Sequence, residues 1–213
     1  MADEFPSASV IGTDISPVQP DWAPSNCSFL IDDAQLDWSF EPASFDFIHM
    51  RSLYGAIDDW QKLYRQAFTH LKPGGWLESL EIDIETFSEN PRVAADPDHI
   101  FKRWCRLFWD AGEKLGRTFQ IAREGRMERY VKEAGFVDVV HRQWKVPVGG
   151  WPQEPMLKRV GYYNALFIDQ SIDGFAVFPV GEVLGWSFEE VSNLVNEMRE
   201  ALADKKSLPY YTL

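Results

Sequence analysis

The sequence predicts an α/β fold that is built on a mostly parallel sheet and followed by a helical unit. Short β-type runs alternate with helical periodicity through the first 145 residues, and strands that are joined by helices pair in parallel. Two of these runs, Val10–Asp14 and Phe29–Asp33, end on carboxylates, and a glycine turn at Lys72–Leu77 leads into another apolar run. Because ligands of open α/β sheets bind beyond the carboxyl ends of the strands, these acids are candidate binding residues.

Five strands and three helices are expected before residue 150. The strands are predicted at Ala8–Asp14, Ser28–Asp32, Phe45–Arg51, Trp76–Glu85 and Val137–Val146. The first helix has apolar residues at helical spacing from Trp60 to Leu71 and is stopped by Lys72-Pro73-Gly74-Gly75. The second helix places Ile100, Trp104, Leu107, Phe108 and Ala111 on one face, and the third covers Ile121–Ala134.

The pattern becomes almost entirely helical after residue 150. The last helix begins with a capping box formed by Ser187 and Glu190. We therefore divide the chain into a core of residues 1–150, a helical cap of residues 151–206, and the start of a last strand at residues 207–213. Since the cap follows the strands, we expect it to roof a pocket at their carboxyl ends.

The amino-acid composition limits the classes of molecule that this protein is expected to bind. Of the 213 residues, 45% are hydrophobic, which suffices for a large packed core, and the formal net charge is −12. Such a surface repels nucleic acid and anionic membranes, so we expect neither as a partner. Cys27 and Cys105 are isolated and lack metal spacing, which indicates reduced thiols and no metal site. Without an apolar run of membrane-spanning length or a basic leader at Met1–Ser9, the expected location is cytoplasmic or nuclear.

The strand ends supply the candidate binding residues. Asp14 is placed to accept hydrogen bonds from a ribose diol, although it also suits the start of a turn. Asp33 and Ala34 close the next strand, where a carboxylate can accept from an adenine amino group; the alternative is a solvated strand end. His49 and Met50 lie at the mouth of the expected pocket. His49 is a candidate base because its unperturbed pKa is near ~6.5, but it is equally a candidate packing residue.

Seven segments together carry a family resemblance. They are Gly12–Pro20, Phe29–Trp38, Phe45–Leu53, Leu71–Glu78, Ala111–Phe119, Glu133–Val139 and Val146–Pro152. In order and spacing they resemble class I S-adenosylmethionine-dependent methyltransferases, and more narrowly the fungal LaeA-like group of secondary metabolism. The resemblance implies a Rossmann-like sheet of order 3-2-1-4-5-7-6 and S-adenosylmethionine as the cofactor. It also implies that Asp14 holds the ribose, that Asp33 and Ala34 border the adenine, and that His49 and Met50 lie near the methionine moiety.

The chain departs from this family pattern at both ends. The family's first strand and its glycine-rich GxGxG-type loop would precede Met1, and the last strand is clipped after Leu213. We therefore expect an incomplete sheet. Either the strands that contain Asp14 and Ile48 pair directly, or a partner fills the space between them, so that a homo- or hetero-oligomer forms through open sheet edges.

Three functions are compatible with these features. The first is a methyltransferase of fungal secondary metabolite biosynthesis or its regulation, acting on a small-molecule metabolite or a pathway protein. The second is a catalytically impaired protein of the same fold that serves as a binding or auxiliary factor. The third is an ordinary enzyme whose glycine loop is encoded upstream of this sequence. No catalytic residue is assigned beyond His49 as a candidate.

Overall fold

The computed structural model describes all 213 residues and has seven strands and six α-helices. The strands are β1 Val10–Asp14, β2 Cys27–Ile31, β3 Phe45–Arg51, β4 Leu71–Leu80, β5 Asp83–Ser88, β6 Lys145–Pro147 and β7 Pro209–Thr212. The helices are α1 Trp60–His70, α2 Pro91–Ala95, α3 Ile100–Leu115, α4 Arg126–Glu133, α5 Pro155–Ala176 and α6 Phe188–Ala203. A π-helical segment, Val177–Val183, joins α5 to α6.

The strands form three hydrogen-bonded groups. β1 pairs with β2 and β3 pairs with β4, both in parallel, whereas β7 lies antiparallel between β5 and β6. Only two residues separate β4 from β5, so the predicted strand Trp76–Glu85 corresponds to two consecutive strands. The first part pairs with β3 and the second part pairs with β7. The neighbours within each group, β1 with β2, β3 with β4, and β7 between β5 and β6, are those that the order 3-2-1-4-5-7-6 implies.

The resemblance implies one strand position between β1 and β3. β1 has β2 as its only partner and β3 has β4 as its only partner, so the two strands that were expected to flank it do not pair directly. One of the two sequence-based alternatives, direct pairing, is therefore wrong. Each of these strands keeps one edge whose backbone groups have no strand partner, as open sheet edges do.

The predicted strand Val137–Val146 is wrong over most of its length. Only Lys145–Pro147 is a strand, and the two apolar residues that suggested an earlier start, Val137 and Val140, are 81% and 70% exposed. β6 can pair only where β7 runs beside it, and β7 has four residues. Because a strand needs a partner for its backbone groups, the apolar composition of residues 137–144 does not suffice.

Two apolar clusters hold the helices. In the first, α1 packs Trp60, Leu63, Tyr64 and Ala67 against Met50 of β3, with α4 alongside. In the second, α3 packs against α5, the π-helical segment and α6, with its centre at Phe101, Ile172, Val180 and Val195. The helical cap thus packs on α3, an element of the predicted core, while the domain boundaries themselves stay predictions.

The capping box predicted for the last helix is confirmed. Ser187 accepts from the Glu190 N–H, and the Glu190 carboxylate accepts from the Ser187 N–H at 2.8 Å. α1 ends at His70, just before the Lys72-Pro73-Gly74-Gly75 turn, as expected. In the structure these four residues belong to the start of β4, where the register with β3 shifts, and Gly74 there has a φ of +83°, a conformation that favours glycine.

α5 docks onto the end of β6 through two glycines. The Gly149 N–H donates to the Gly161 carbonyl at 2.8 Å, and a Cβ at position 161 would lie only 2.1 Å from the Gly149 carbonyl oxygen. The Asn164 side chain donates to the Pro147 carbonyl at 2.9 Å, which holds the same side of the helix. The side of α5 that turns inward is therefore fixed at Gly161.

Candidate functional site

The carboxyl ends of β1 and β2 lie level with each other. The Asp32 N–H donates to the Asp14 carbonyl at 3.0 Å, which continues the parallel ladder by one residue. Asp14 accepts from the Ser16 N–H through Oδ1 at 2.9 Å, and its Oδ2 has no hydrogen-bond partner in the protein. The turn that the sequence suggested at Asp14 is therefore present, and one carboxylate oxygen is left free for a ligand.

Asp33 has the same arrangement on the next strand end. Its Oδ1 accepts from the Gln35 N–H at 2.9 Å, and its Oδ2 has no protein partner. Two acids that end neighbouring parallel strands thus each use one oxygen for a local turn. Because adjacent strands are about 4.8 Å apart, the two strand ends are close enough for one nucleoside to span them. The structure therefore brings Asp14, Asp33 and Ala34 to one edge.

The segment after β2 is fastened to α1. Gln35 accepts from the Asp58 N–H at 2.9 Å, and Gln66 on α1 accepts from the Trp38 N–H at 2.9 Å. The Gln66 side chain also donates to the Leu36 carbonyl at 3.0 Å. Since α1 follows β3 after a short loop, these bonds bring the ends of β2 and β3 to one side of the fold. No strand pairing joins the two strands.

His49 and Met50 point to opposite faces of β3, as consecutive strand residues do. Met50 is only 6% exposed and packs in the α1 cluster. His49 lies on the other face, where its Nδ1 is 2.7 Å from Oε2 of Glu78, its cross-strand partner on β4. Phe47 and Trp76 are also exposed on this face, so helices cover only one side of the β3–β4 pair. The roles of His49 and Met50 toward a cofactor stay predictions.

Glu81, at the carboxyl end of β4, is a residue that the sequence analysis did not single out. Its carboxylate accepts from the Leu53 N–H at 2.9 Å and from the Tyr54 N–H at 3.0 Å, and the side chain is buried. It thereby holds the segment that follows β3, in which Ser52 has a φ of +57°. A non-glycine residue in this region is strained and persists only where its surroundings hold it.

Burial controls the ionisation of Glu81. Desolvation raises its pKa to about 7, and the N–H groups of Leu53 and Tyr54 oppose this shift without cancelling it. The half-buried Tyr54 and the buried Tyr64 both interact with the same carboxylate, and burial raises the pKa of Tyr54 to about 12. Glu81 therefore changes protonation near neutral pH at the edge where a ligand is expected to bind.

A charged network lies beside Glu81. Glu85 accepts from both Lys102 and Arg123, and the Arg123–Glu85 distance is 2.6 Å. Although burial acts in the opposite direction, these two hydrogen bonds hold the pKa of Glu85 below its usual value. Arg123 also lies 4.6 Å above the centre of the Trp109 ring. Because its charges are mutually paired, this network braces β5 against α3 and leaves little charge for a ligand.

Two cavities occur elsewhere in the molecule. One of about 540 Å³ lies between α3 and α6 and is lined by Arg103, Arg106, Asp110, Trp186, Glu190 and Glu197, among others. A smaller one of about 140 Å³ lies between α5 and α6 and is mostly apolar. Neither includes the strand-end acids, so the candidate binding residues Asp14, Asp33 and Ala34 lie outside both cavities. No cluster of three or more His, Cys, Asp or Glu side chains is arranged to hold a metal ion.

Comparison with known proteins gives consistent matches. Residues 1–141 match the family described as a methyltransferase domain. The chain is 40% identical over 201 residues to the methyltransferase pytC of Aspergillus terreus, covering 94% of this chain and 60% of that protein. It is 32% identical over 213 residues to the secondary metabolism regulator LAE1 of Cochliobolus heterostrophus, covering 99% and 68%. It is 28% identical over 215 residues to the protein-methionine methyltransferase laeA of Emericella nidulans, covering 100% and 56%.

A solved structure supports the fold. Phosphoethanolamine N-methyltransferase 2 of Haemonchus contortus, in complex with phosphomonomethylethanolamine and S-adenosylhomocysteine, superposes with a TM-score of 0.50. It is 18% identical and the match covers 99% of this chain and 43% of that one. At this identity the likeness concerns the fold alone. The chain spans about 60% of the length of the pytC relatives that it matches. None of its helices combines the length and apolar character that a bilayer span requires.

Proposed function

Since this chain belongs to the methyltransferase-domain family and, within it, to the LaeA-like proteins, we propose that it is an S-adenosylmethionine-dependent methyltransferase of fungal secondary metabolism or its regulation. One structural observation supports the proposal in addition to family membership. Asp14 is the last residue of β1, Asp33 follows the level end of the neighbouring β2 by two residues, and each keeps one carboxylate oxygen without a protein partner. Carboxylate acceptors on adjacent strand ends suit the ribose diol and the adenine amino group of an adenosyl cofactor.

These residues fit the adenosyl half of the cofactor. Asp14 would accept from the ribose hydroxyls, Asp33 would accept from the adenine amino group, and Ala34 would border the ring. When bound, S-adenosylmethionine supplies an electrophilic methyl group on sulfur for in-line displacement by a nucleophile. The contribution of the chain is to position this methyl group and the acceptor, which is the main source of rate in such a reaction. Glu81 fixes the Ser52–Tyr54 segment that borders the same edge.

The acceptor is proposed to be a small-molecule metabolite or a pathway protein, and the location to be the cytoplasm or the nucleus. The net charge of −12 supports a partner that is neither nucleic acid nor an anionic membrane. The open edges of β1 and β3 support a further contact there, with a second copy or another protein.

Replacing each acid by its amide tests the cofactor site. Asp14→Asn and Asp33→Asn keep the turn oxygen and exchange the free oxygen for an amide nitrogen, which donates instead of accepting. We expect each change to raise the Kd for S-adenosylhomocysteine at least tenfold, because a lost hydrogen bond to a charged group corresponds to about 1.5–3 kcal/mol. Isothermal titration calorimetry on the 213-residue chain measures this effect.

Asp21→Asn is the matched control. Asp21 is an exposed acid in the loop after β1, and no hydrogen bond or ion pair involves its side chain. The control removes one negative charge from the same region and is expected to leave the Kd unchanged. Equal affinities of all three variants would refute the assignment of Asp14 and Asp33.

A second candidate is a binding or auxiliary factor that takes up the ligand without transferring the methyl group. This candidate is supported by the lack of strand pairing between β1 and β3. Without it, the β1–β2 pair that carries the candidate cofactor residues is attached to the remainder of the fold mainly through residues 32–38. Incubation with methyl-labelled S-adenosylmethionine and a fungal extract separates the two candidates. Labelled product that depends on Asp14 supports the enzyme, whereas binding without product supports the auxiliary factor.

A further inference from the structure

The outward face of α5 is mostly apolar. Gly161, Ile172 and Ala176 are buried against the rest of the fold, while the opposite side carries large exposed apolar side chains. The exposed residues are Met156, Val160, Tyr163, Phe167 and, just beyond the helix, Val177. Together with Gln170 and Gly174 they repeat at alternating intervals of four and three residues. This spacing is typical of a helix that packs against another helix in a coiled-coil manner.

The area of this face matches what an interface requires. Tyr163 and Phe167 are each more than half exposed, and aromatic side chains present about 150–250 Å² apiece. With Met156, Val160, Leu166, Val177 and Phe178 the exposed apolar surface is on the order of 600 Å², the upper end for a monomer. A standard interface buries about 800 Å² on each partner, so this seam supplies most of one.

The charges beside the seam indicate the occupant. Arg159, Leu166 and Asp173 lie at seven-residue intervals along one flank. Arg159 has no ion-pair partner within the chain, and Asp173 is exposed although it pairs with Arg199. A parallel copy of α5 would bring Arg159 against Arg159 and Asp173 against Asp173. An antiparallel copy brings each Arg159 to the Asp173 of the other chain, with Leu166 against Leu166 between them.

We propose that α5 is the interface of a two-fold symmetric homodimer, in which the helices of two copies pack antiparallel. The layers of this arrangement are Tyr163 on the partner's Phe167, Val160 on the partner's Gln170, and Met156 on the partner's Gly174. Large side chains thus face smaller ones at the ends, and aromatic rings pair at the centre. Two Arg159–Asp173 pairs flank the seam and fix its direction, as charges beside a helical seam do.

Molar mass in solution tests this arrangement. Sedimentation equilibrium on the full chain between about 1 and 100 μM is expected to give twice the 24.6 kDa of one chain at the upper concentrations. Phe167→Asp introduces a charge at the centre of the seam and is expected to weaken association at least a hundredfold. Phe188→Asp places the same charge on a side chain that is 86% exposed outside the seam, and this control should remain dimeric.

Cross-linking tests the direction of the helices. Val160→Cys and Gln170→Cys are introduced separately in a Cys27→Ser background. A short bismaleimide reagent is added to each protein alone and to a mixture of the two. An antiparallel seam yields cross-linked dimer in the mixture and little from either protein alone, whereas a parallel seam cross-links each protein by itself.

Three outcomes overturn the proposal. They are a monomer at 100 μM, a Phe167→Asp variant that stays dimeric, and self-cross-linking of the Val160→Cys or the Gln170→Cys protein. Because Phe167 is exposed, the Phe167→Asp variant should remain folded, with the circular dichroism spectrum and the unfolding midpoint of a folded monomer. These two measurements distinguish a loss of association from a loss of folding. A monomer that binds lipid vesicles or an unrelated helix through α5 would also refute the homodimer.

Discussion

Gly161→Ala is expected to destabilise the protein by about 3 kcal/mol or more, measured by urea denaturation. The added methyl group would lie 2.1 Å from the Gly149 carbonyl oxygen, far inside van der Waals contact, and 3.3 Å from the Pro147 side chain. Because the obstacle is backbone, it cannot rotate away as a side chain can. α5 must therefore shift off the end of β6, which strains or breaks the bonds from Gly149 and Asn164.

Gly174→Ala in the same helix is the matched control. No atom lies within 4 Å of a Cβ at position 174, so the methyl group meets open space. Alanine restricts the unfolded chain and favours the helix, and the variant is expected to be more stable by about 0.5–1 kcal/mol. Both variants are to be measured in the Phe167→Asp background, so that dimerisation does not contribute. A similar change at both glycines would contradict the docking at Gly161.

The free energy of unfolding is expected to fall by about 3 kcal/mol between pH 4 and pH 8 because of Glu81. Burial raises its pKa to about 7 from a reference value of 4.5, so the native state holds a proton that the unfolded state has released. The free energy of unfolding therefore decreases as pH rises through this window. The total decrease is about 1.4 kcal/mol for each unit by which the pKa in the native state exceeds the pKa in the unfolded state. Urea denaturation at closely spaced pH values measures the slope.

Glu81→Gln isolates this contribution. Its side chain is close to isosteric, still accepts one N–H bond and does not titrate, so the slope between pH 5 and pH 7 should be much smaller. Asp83, whose pKa burial also raises, and the self-repulsion of a chain with net charge −12 act in the same direction in both proteins. The difference between the two slopes is thus due to Glu81. Parallel slopes would show that the carboxyl group does not change protonation in this range.

The sequence revealed the strand-end acids because their signal is local. Asp14 and Asp33 each close a short strand-forming segment, and each forms a turn with a residue two positions ahead. Glu81 likewise follows a strand-forming segment, Trp76–Leu80, and this signal could have identified it. It was hidden because the predicted strand extended through to Glu85, and its partners, Leu53 and Tyr54, lie 28 and 27 residues away.

The strand at residues 137–146 and the face of α5 show the opposite case. Val137 and Val140 have strand-forming side chains, yet β6 begins only where β7 offers a partner, some 65 residues further along the chain. α5 is apolar on several sides, so periodicity establishes the helix without showing which face turns inward. The close approach of Gly149 to Gly161 decides that question, and it leaves the Met156–Val177 seam outside.

The sequence by itself determined the α/β class, the helices that carry strong periodicity and caps, and the two acids at the ends of β1 and β2. These depend on interactions within a few residues, which a linear pattern records. Only the tertiary structure decided that β1 and β3 do not pair, that Glu81 holds the segment after β3, and that one face of α5 has no partner. Each of these depends on which distant backbone and side-chain groups meet, and local pattern does not encode that choice.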